Sequence, residues 1–130
     1  MLSHVHLGVS DFPRDLAFYE RLLPILGLEL KFNDPQKPWA GWMRPGVARP
    51  LFLIGVPFDR QPTTPGNGQM VALLAPSRQA VDQCHAEALA AGGTDEGAPG
   101  LRPEYHPNFY GAYFRDPAGN KLCVCHHDPQ

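Results

Sequence analysis

HVHLGVSDFPRDLAFYERLLPILGLEL, His4 to Leu30, carries the fold in its punctuation. Across residues 2–9, Val5, Leu7 and Val9 alternate with His4, His6 and Gly8. That period of two predicts a strand with one buried face and its histidines on the other. Asp11 is placed to cap a helix, and Pro13 falls in the first turn, where a missing N–H costs nothing. Leu16, Tyr19, Leu22 and Leu23 then recur at helical spacing as an inward stripe, and Gly27, after Pro24, marks the stop.

Reading onward, strands are expected at Glu29–Phe32, Trp39–Met43 and Leu51–Val56, followed by a proline- and glycine-rich linker from Pro57 to Gly68. The pattern then restarts. Gln69–Ala75 reads as a strand, Ser77 as an N-cap, Ala80–Ala91 as an alanine-rich helix and Gly92-Gly93 as its end. Strands follow near Thr94, at Phe109–Arg115 and at Asn120–His126, the last two joined by the turn Asp116-Pro117-Ala118-Gly119-Asn120. A shift of 66 positions lays Val5 on Val71, Leu7 on Leu73, Asp11 on Ser77, Leu23 on Leu89 and Gly27 on Gly93. The chain is therefore read as one domain, 1–130, of α+β class. Module one covers about 1–57, the linker 58–68 and module two about 69–128. Each βαβββ module offers one sheet face to a helix and one to a partner sheet, so the two partner faces are expected to enclose a cavity.

The bulk numbers narrow the function. With 130 residues and 43% hydrophobic content, the chain suffices for one core. A net charge of −2 with scattered Lys and Arg argues against a nucleic-acid partner. No apolar run reaches the roughly 20 residues needed to span a bilayer, so no membrane partner is expected. The N-terminus does not read as a signal peptide, and three cysteines suit a reducing compartment; the expected location is cytoplasmic.

The segment His4–Leu30 resembles the first strand and helix of the vicinal-oxygen-chelate superfamily, the glyoxalase, bleomycin-resistance and dioxygenase type. His4 with Asp11 seven residues on, the Phe18-Tyr19 pair and Leu26-Gly27-Leu28 carry the likeness, and Asp116-Pro117-Ala118-Gly119-Asn120 before the last strand is the second signature. The resemblance covers essentially the whole chain. It implies two modules pairing into an open barrel around a small-molecule cavity, and commonly a homodimer. The family ranges from lyases, isomerases and ring-cleaving dioxygenases to non-catalytic antibiotic-binding proteins, so the fold leaves the reaction open.

In metal-using relatives four ligands, usually His and Glu, come from the first and last strands of the two modules. Carried over residue by residue, His4 matches the first, Phe52 stands nearest the second, Met70 takes the third and Cys123 the fourth. Only His4 is of the family's ligand type, with Cys123 as a further donor. No cofactor is expected, a divalent metal such as zinc being the alternative. A sharper arrangement has His4 and His6 on the first strand converging with Cys123 and Cys125 on the last.

Tyr105-His106-Pro107-Asn108-Phe109-Tyr110 brings imidazole, amide and aromatic groups into one loop, with His106 a candidate general base. Trp39, Trp42 and Met43 read as core, or as a wall for a planar ligand. Arg44, Arg49, Arg102 and Arg115 are carboxylate-binding candidates that spacing cannot separate. Cys84 and His85 belong to a helix outside the cavity, and His126-His127-Asp128 to a solvated tail. The expected site thus comprises His4 and His106 for proton transfer, with His6, Phe52, Met70, Tyr110 and Cys123 lining it. The leading reading is a glyoxalase-like small-molecule protein with a degenerate metal site, a lyase, isomerase or dioxygenase relative if catalytic. The alternatives are a non-catalytic antibiotic- or metabolite-binding protein and a metalloenzyme with unusual His/Cys ligands.

Overall fold

A computed structural model describes residues 1–130. Module one runs β1 (His4–Gly8), α1 (Phe12–Leu22), a 3₁₀ turn (Leu23–Leu26), β2 (Glu29–Asp34), β3 (Trp39–Met43) and β4 (Leu51–Gly55). Module two runs β5 (Val71–Leu74), α2 (Arg78–Ala90), β6 (Thr94–Leu101), β7 (Tyr110–Arg115) and β8 (Lys121–His126). The sheets have orders β1-β4-β3-β2 and β5-β8-β7-β6, the same topology twice. The α+β class and the repeated βαβββ plan are as the sequence predicts.

Both caps form. Asp11 accepts from the Arg14 amide and Ser77 from the Ala80 amide, each satisfying a first-turn N–H. Gly27 closes the 3₁₀ turn at φ 80°, in the left-handed region. In module two it is Gly92, at φ 103°, that holds this conformation. Gly93 is needed for a different reason: a Cβ there would lie 2.7 Å from the Ala88 carbonyl and 2.8 Å from that of Arg115.

The two modules share a single core. Phe18 and Tyr19 on α1 split their contacts between the sheets. Phe18 meets Phe114 of β7 edge-on at 6.2 Å, while Tyr19 packs on Phe52 at 5.3 Å and Trp42 at 6.1 Å. The Tyr19 hydroxyl, fully buried, donates to Asp116 Oδ2 at 2.5 Å. Asn120 donates its side-chain N–H both to Asp116 and to the Gly8 carbonyl. The Asp116–Asn120 turn is thereby a structural clamp between β1, α1 and module two. Arg21 pairs with Glu87 at 2.7 Å, and these residues are 66 positions apart, the spacing of the repeat. Equivalent points of the two helices meet, as modules related by a local two-fold axis require.

The two sheets stay open and do not close into a barrel. Each sheet presents one face to the shared core and leaves the other open, and no strand pairing joins sheet to sheet. β1 and β5 are edge strands, each hydrogen-bonded on one side only.

Candidate functional site

The register decides which residues share a face. β1 lies parallel to β4 with His4 opposite Leu51, Val5 opposite Phe52 and His6 opposite Leu53. His4 and His6 therefore stand on the open face with Leu51 and Leu53, as the alternation in β1 predicts. Phe52 belongs with Val5 on the core face, 4% exposed, and is not beside the histidines as expected.

His6 lies over Gly55, where a Cβ would come within 3.0 Å of its Nε2 and 2.9 Å of Trp39 Cβ. Glycine at this point makes the seat for the imidazole. Partial burial, then the neighbouring His4, lower the His6 pKa below its ordinary value, so the ring is neutral at neutral pH. His6, Gly8, Lys37, Trp39, Phe58 and Arg60 border a cleft of about 650 Å³ roofed by the linker. The two tryptophans thus divide: Trp42 is core, 2% exposed, whereas Trp39 walls the cleft with the Lys37 ammonium 4.2 Å from its ring centre. His4 is exposed, its Nδ1 2.9 Å from the Ser3 hydroxyl.

The second sheet's open face carries Cys123, Cys125 and Tyr113. Strand parity sets Tyr110 on the other side. Its hydroxyl donates to Asp82 of α2 at 2.6 Å, and the Arg78 guanidinium stands over its ring, so Tyr110 fastens α2 and is not the aromatic of the open face. Tyr113 takes that place, with Arg102 5.4 Å from its ring centre. Met70 falls just before β5 and is 45% exposed. His106 has both ring nitrogens engaged, Nδ1 accepting from the Asn108 amide at 3.1 Å and Nε2 2.8 Å from His127 Nδ1. His127, exposed as a tail residue, is also 3.6 Å from Cys125 Sγ and so borders this cluster. Neither Tyr113 nor His127 was selected by sequence. Parity counted back from Phe114 would have found Tyr113; nothing periodic marks His127.

The expected site is therefore divided. His4 and His6 lie on one sheet, Cys123, Cys125 and His106 with the other. No hydrogen bond joins the two groups, and the four-residue His/Cys convergence does not form in one chain, because β1 and β8 sit in different sheets. A second space of about 670 Å³ is an apolar groove between the modules, bordered by Leu28, Trp42, Phe52, Val71, Leu73 and Leu74. Phe52 lines this groove from its core side. His85 is bonded to Asp95 at 3.0 Å and Cys84 is buried, its thiol pushed up to about 12 by burial; neither borders either space.

The family model of the glyoxalase/bleomycin resistance protein/dioxygenase superfamily matches residues 1–124. The chain belongs to this superfamily. A glyoxalase/bleomycin resistance protein from Albidiferax ferrireducens T118 is 37% identical, with 98% of this chain and 99% of that one covered and a TM-score of 0.84. A glyoxalase/bleomycin resistance protein/dioxygenase family enzyme from Burkholderia phytofirmans PsJN is 20% identical over 97% of this chain and 98% of that one, TM-score 0.71. The lactoylglutathione lyase of Agrobacterium tumefaciens is 20% identical, covering 97% and 92%, TM-score 0.64. The last two show a shared fold. No curated protein matches the chain.

Members of this superfamily often use a divalent metal, and the donors at the corresponding positions can be tested against one. With the register corrected, the second position falls on Leu51 or Leu53 in place of Phe52. The set becomes an imidazole, an aliphatic side chain, the Met70 thioether and the Cys123 thiol. One nitrogen and two sulfurs, spread over separate sheets, do not fit an ion that takes oxygen and nitrogen ligands.

Proposed function

We propose that this superfamily member binds a small planar anion in the cleft beside His6, and that His6 is its proton acceptor if the ligand is turned over. The observation that carries this reading is the seating of a neutral imidazole on Gly55 in a cleft walled by Trp39. A base must be unprotonated at working pH and within reach of its substrate. Burial supplies the first condition here and the cleft the second. Trp39 offers an apolar face for a ring, and Lys37 and Arg60 outnumber Asp59 at the rim, which favours a carboxylate. The ligand site assigned here does not need the four-ligand metal position.

The fully exposed Phe58 beside the same cleft supports the second reading, a binding protein without turnover, since an aromatic rim serves capture as well as chemistry. One experiment separates the two. Benzoate is titrated against tryptophan fluorescence. Quenching is expected in the native chain, and it should be lost in Trp39→Phe, where only the buried Trp42 reports. Quenching that survives Trp39→Phe refutes the site. A substrate turned over by the native chain, and bound but unconverted by His6→Asn, supports the enzyme.

We also infer a homodimer. β5 leaves its outer N–H and C=O groups unpaired, with Leu74 64% exposed beside the apolar groove. An apolar unpaired edge recruits a partner strand, and a second copy supplies the same surface by symmetry. Catalysis and the reaction class, whether lyase, isomerase or dioxygenase, belong to the same proposal, as does a cytoplasmic location; no helix is long and apolar enough to cross a membrane.

A further inference from the structure

Of the four arginines that spacing cannot separate as carboxylate-binding candidates, three are spent within the chain. Arg115 is paired with Glu96 at 3.3 Å and donates to the Gly119 carbonyl. Arg102 donates to the Ala98 carbonyl at 2.7 Å and lies over the Tyr113 ring. Arg49 turns back on the Ala48 carbonyl at 2.8 Å. Arg44 takes part in none of the chain's ion pairs and makes no side-chain hydrogen bond. It lies one residue past β3, with the parity of Trp42, and both border the apolar groove between the modules.

We propose that this groove is a second binding site, for an unbranched aliphatic carboxylate of medium length, with its carboxylate on Arg44 and its chain along Trp42, Phe52 and Val71. The groove's volume, about 670 Å³, lies within the roughly 300–1,000 Å³ of small-molecule sites. Module one supplies Val5, Trp42 and Phe52 and module two supplies Val71 and Leu73, so both walls are apolar. Water held there finds few polar partners, and an alkyl chain displaces it favourably. Every residue of β5 borders the groove, which therefore follows that strand for about 10 Å at roughly 3.3 Å per residue. That is a shape for a chain and not for a single ring.

The charged and polar groups fix the direction. His126, His127 and Asp128 belong to the module-two wall. His126 Nδ1 donates to the Ala75 carbonyl at 2.9 Å, so in its neutral form the ring has no second N–H for an anion. His127 has both nitrogens engaged, with His106 at 2.8 Å and Cys125 at 3.6 Å, and Asp128 repels a carboxylate. Arg44, exposed on the module-one wall, is the group that draws one, and its planar fork of N–H donors matches two carboxylate oxygens. The site is independent of the His6 cleft, since the two spaces share no lining residue.

The test is fluorescence titration of the Trp39→Phe chain, in which the buried Trp42 alone reports, with decanoate, octanoate, decanol and benzoate as probes. Calorimetry repeats each titration, so that binding the indole does not sense is also seen. Decanoate is expected to change the Trp42 emission saturably. Octanoate should bind about 15-fold more weakly, at roughly fourfold per methylene buried. Benzoate, which has no chain to lay along the groove, should leave Trp42 unchanged. Arg44→Gln should weaken decanoate about fivefold, the scale of an exposed ion pair, and leave decanol where it was; Arg44→Lys should keep most of the affinity for decanoate. Circular dichroism confirms that each variant is folded. Absence of decanoate binding in both measurements, equal affinity for octanoate and decanoate, or an Arg44→Gln effect that is missing or that decanol shares each overturns the proposal. So does an affinity for decanoate that falls as sedimentation shows the chain associating, which would make a second copy the occupant of the groove.

Discussion

Replacing Tyr19 by Phe removes one oxygen from the interior and tests how the modules are joined. The hydroxyl donates to Asp116 Oδ2 at 2.5 Å in a region closed to water. Asp116 retains the Asn120 amide on Oδ1 at 2.8 Å and the Asn120 side chain on Oδ2 at 2.9 Å, so the carboxylate is weakened but not abandoned. Loss of one hydrogen bond to a charged group costs about 1.5–3 kcal/mol. Unfolding entropy near 2.1 cal/mol/K per residue gives a chain of this length roughly 0.27 kcal/mol/K, so Tm falls by about 6–11 °C. Scanning calorimetry measures this, with Tyr105→Phe at an exposed position as the control, expected within about 0.5 kcal/mol. The effect also depends on pH. Burial raises the Asp116 carboxyl above its ordinary 3.8, and the Tyr19 hydrogen bond partly opposes that rise. A carboxyl raised in the folded state holds its proton where the unfolded chain has lost it. Its contribution to stability is therefore fully present below about 3.8 and is lost as pH climbs through the folded value. Without the Tyr19 hydroxyl the rise is larger, so Tyr19→Phe should cost less near pH 4 than at pH 7. Carboxyl NMR should show the Asp116 midpoint moving up in the variant. A Tm change under about 2 °C, or an unmoved Asp116 midpoint, would refute this account of the clamp.

Two further outcomes follow from packing. Gly55→Ala places a methyl 2.9 Å from Trp39 Cβ and 3.0 Å from His6 Nε2, so it should cost about 1–3 kcal/mol by overpacking. It should also displace His6 outward, and imidazole NMR would then find its pKa back near 6.5; an unchanged His6 titration counts against the seat. Leu74→Asp alters a side chain exposed in the single chain, so it should leave fold stability within about 0.5 kcal/mol while shifting sedimentation from dimer to monomer. A monomeric native chain, or a variant that still dimerises, counts against the β5 interface.

The repeat was legible because both modules carry the same punctuation: a capped helix and a glycine stop. Faces were legible only where polarity alternates. HVHLG announces its parity, so His4 and His6 were assigned to the open face correctly. Leu51-Phe52-Leu53-Ile54 is apolar at every position and announces none; the parallel register with β1 places Phe52 in the core. Tyr110-Gly111-Ala112-Tyr113 offers an aromatic to each face, and the sequence reading took the one that fastens α2. His127 lies beyond β8 where no period applies, and only the fold of the chain end brings it against His106.

These placements share a cause that bears on function. Ligand positions carried over from a family assume that one residue per strand faces a common point. The open faces of this chain hold two separate groups of side chains. The first sheet places the His6 imidazole in a cleft. The second holds Cys123 and Cys125 with Tyr113. A single metal would have to draw donors from both, and no strand pairing brings the sheets together within the chain.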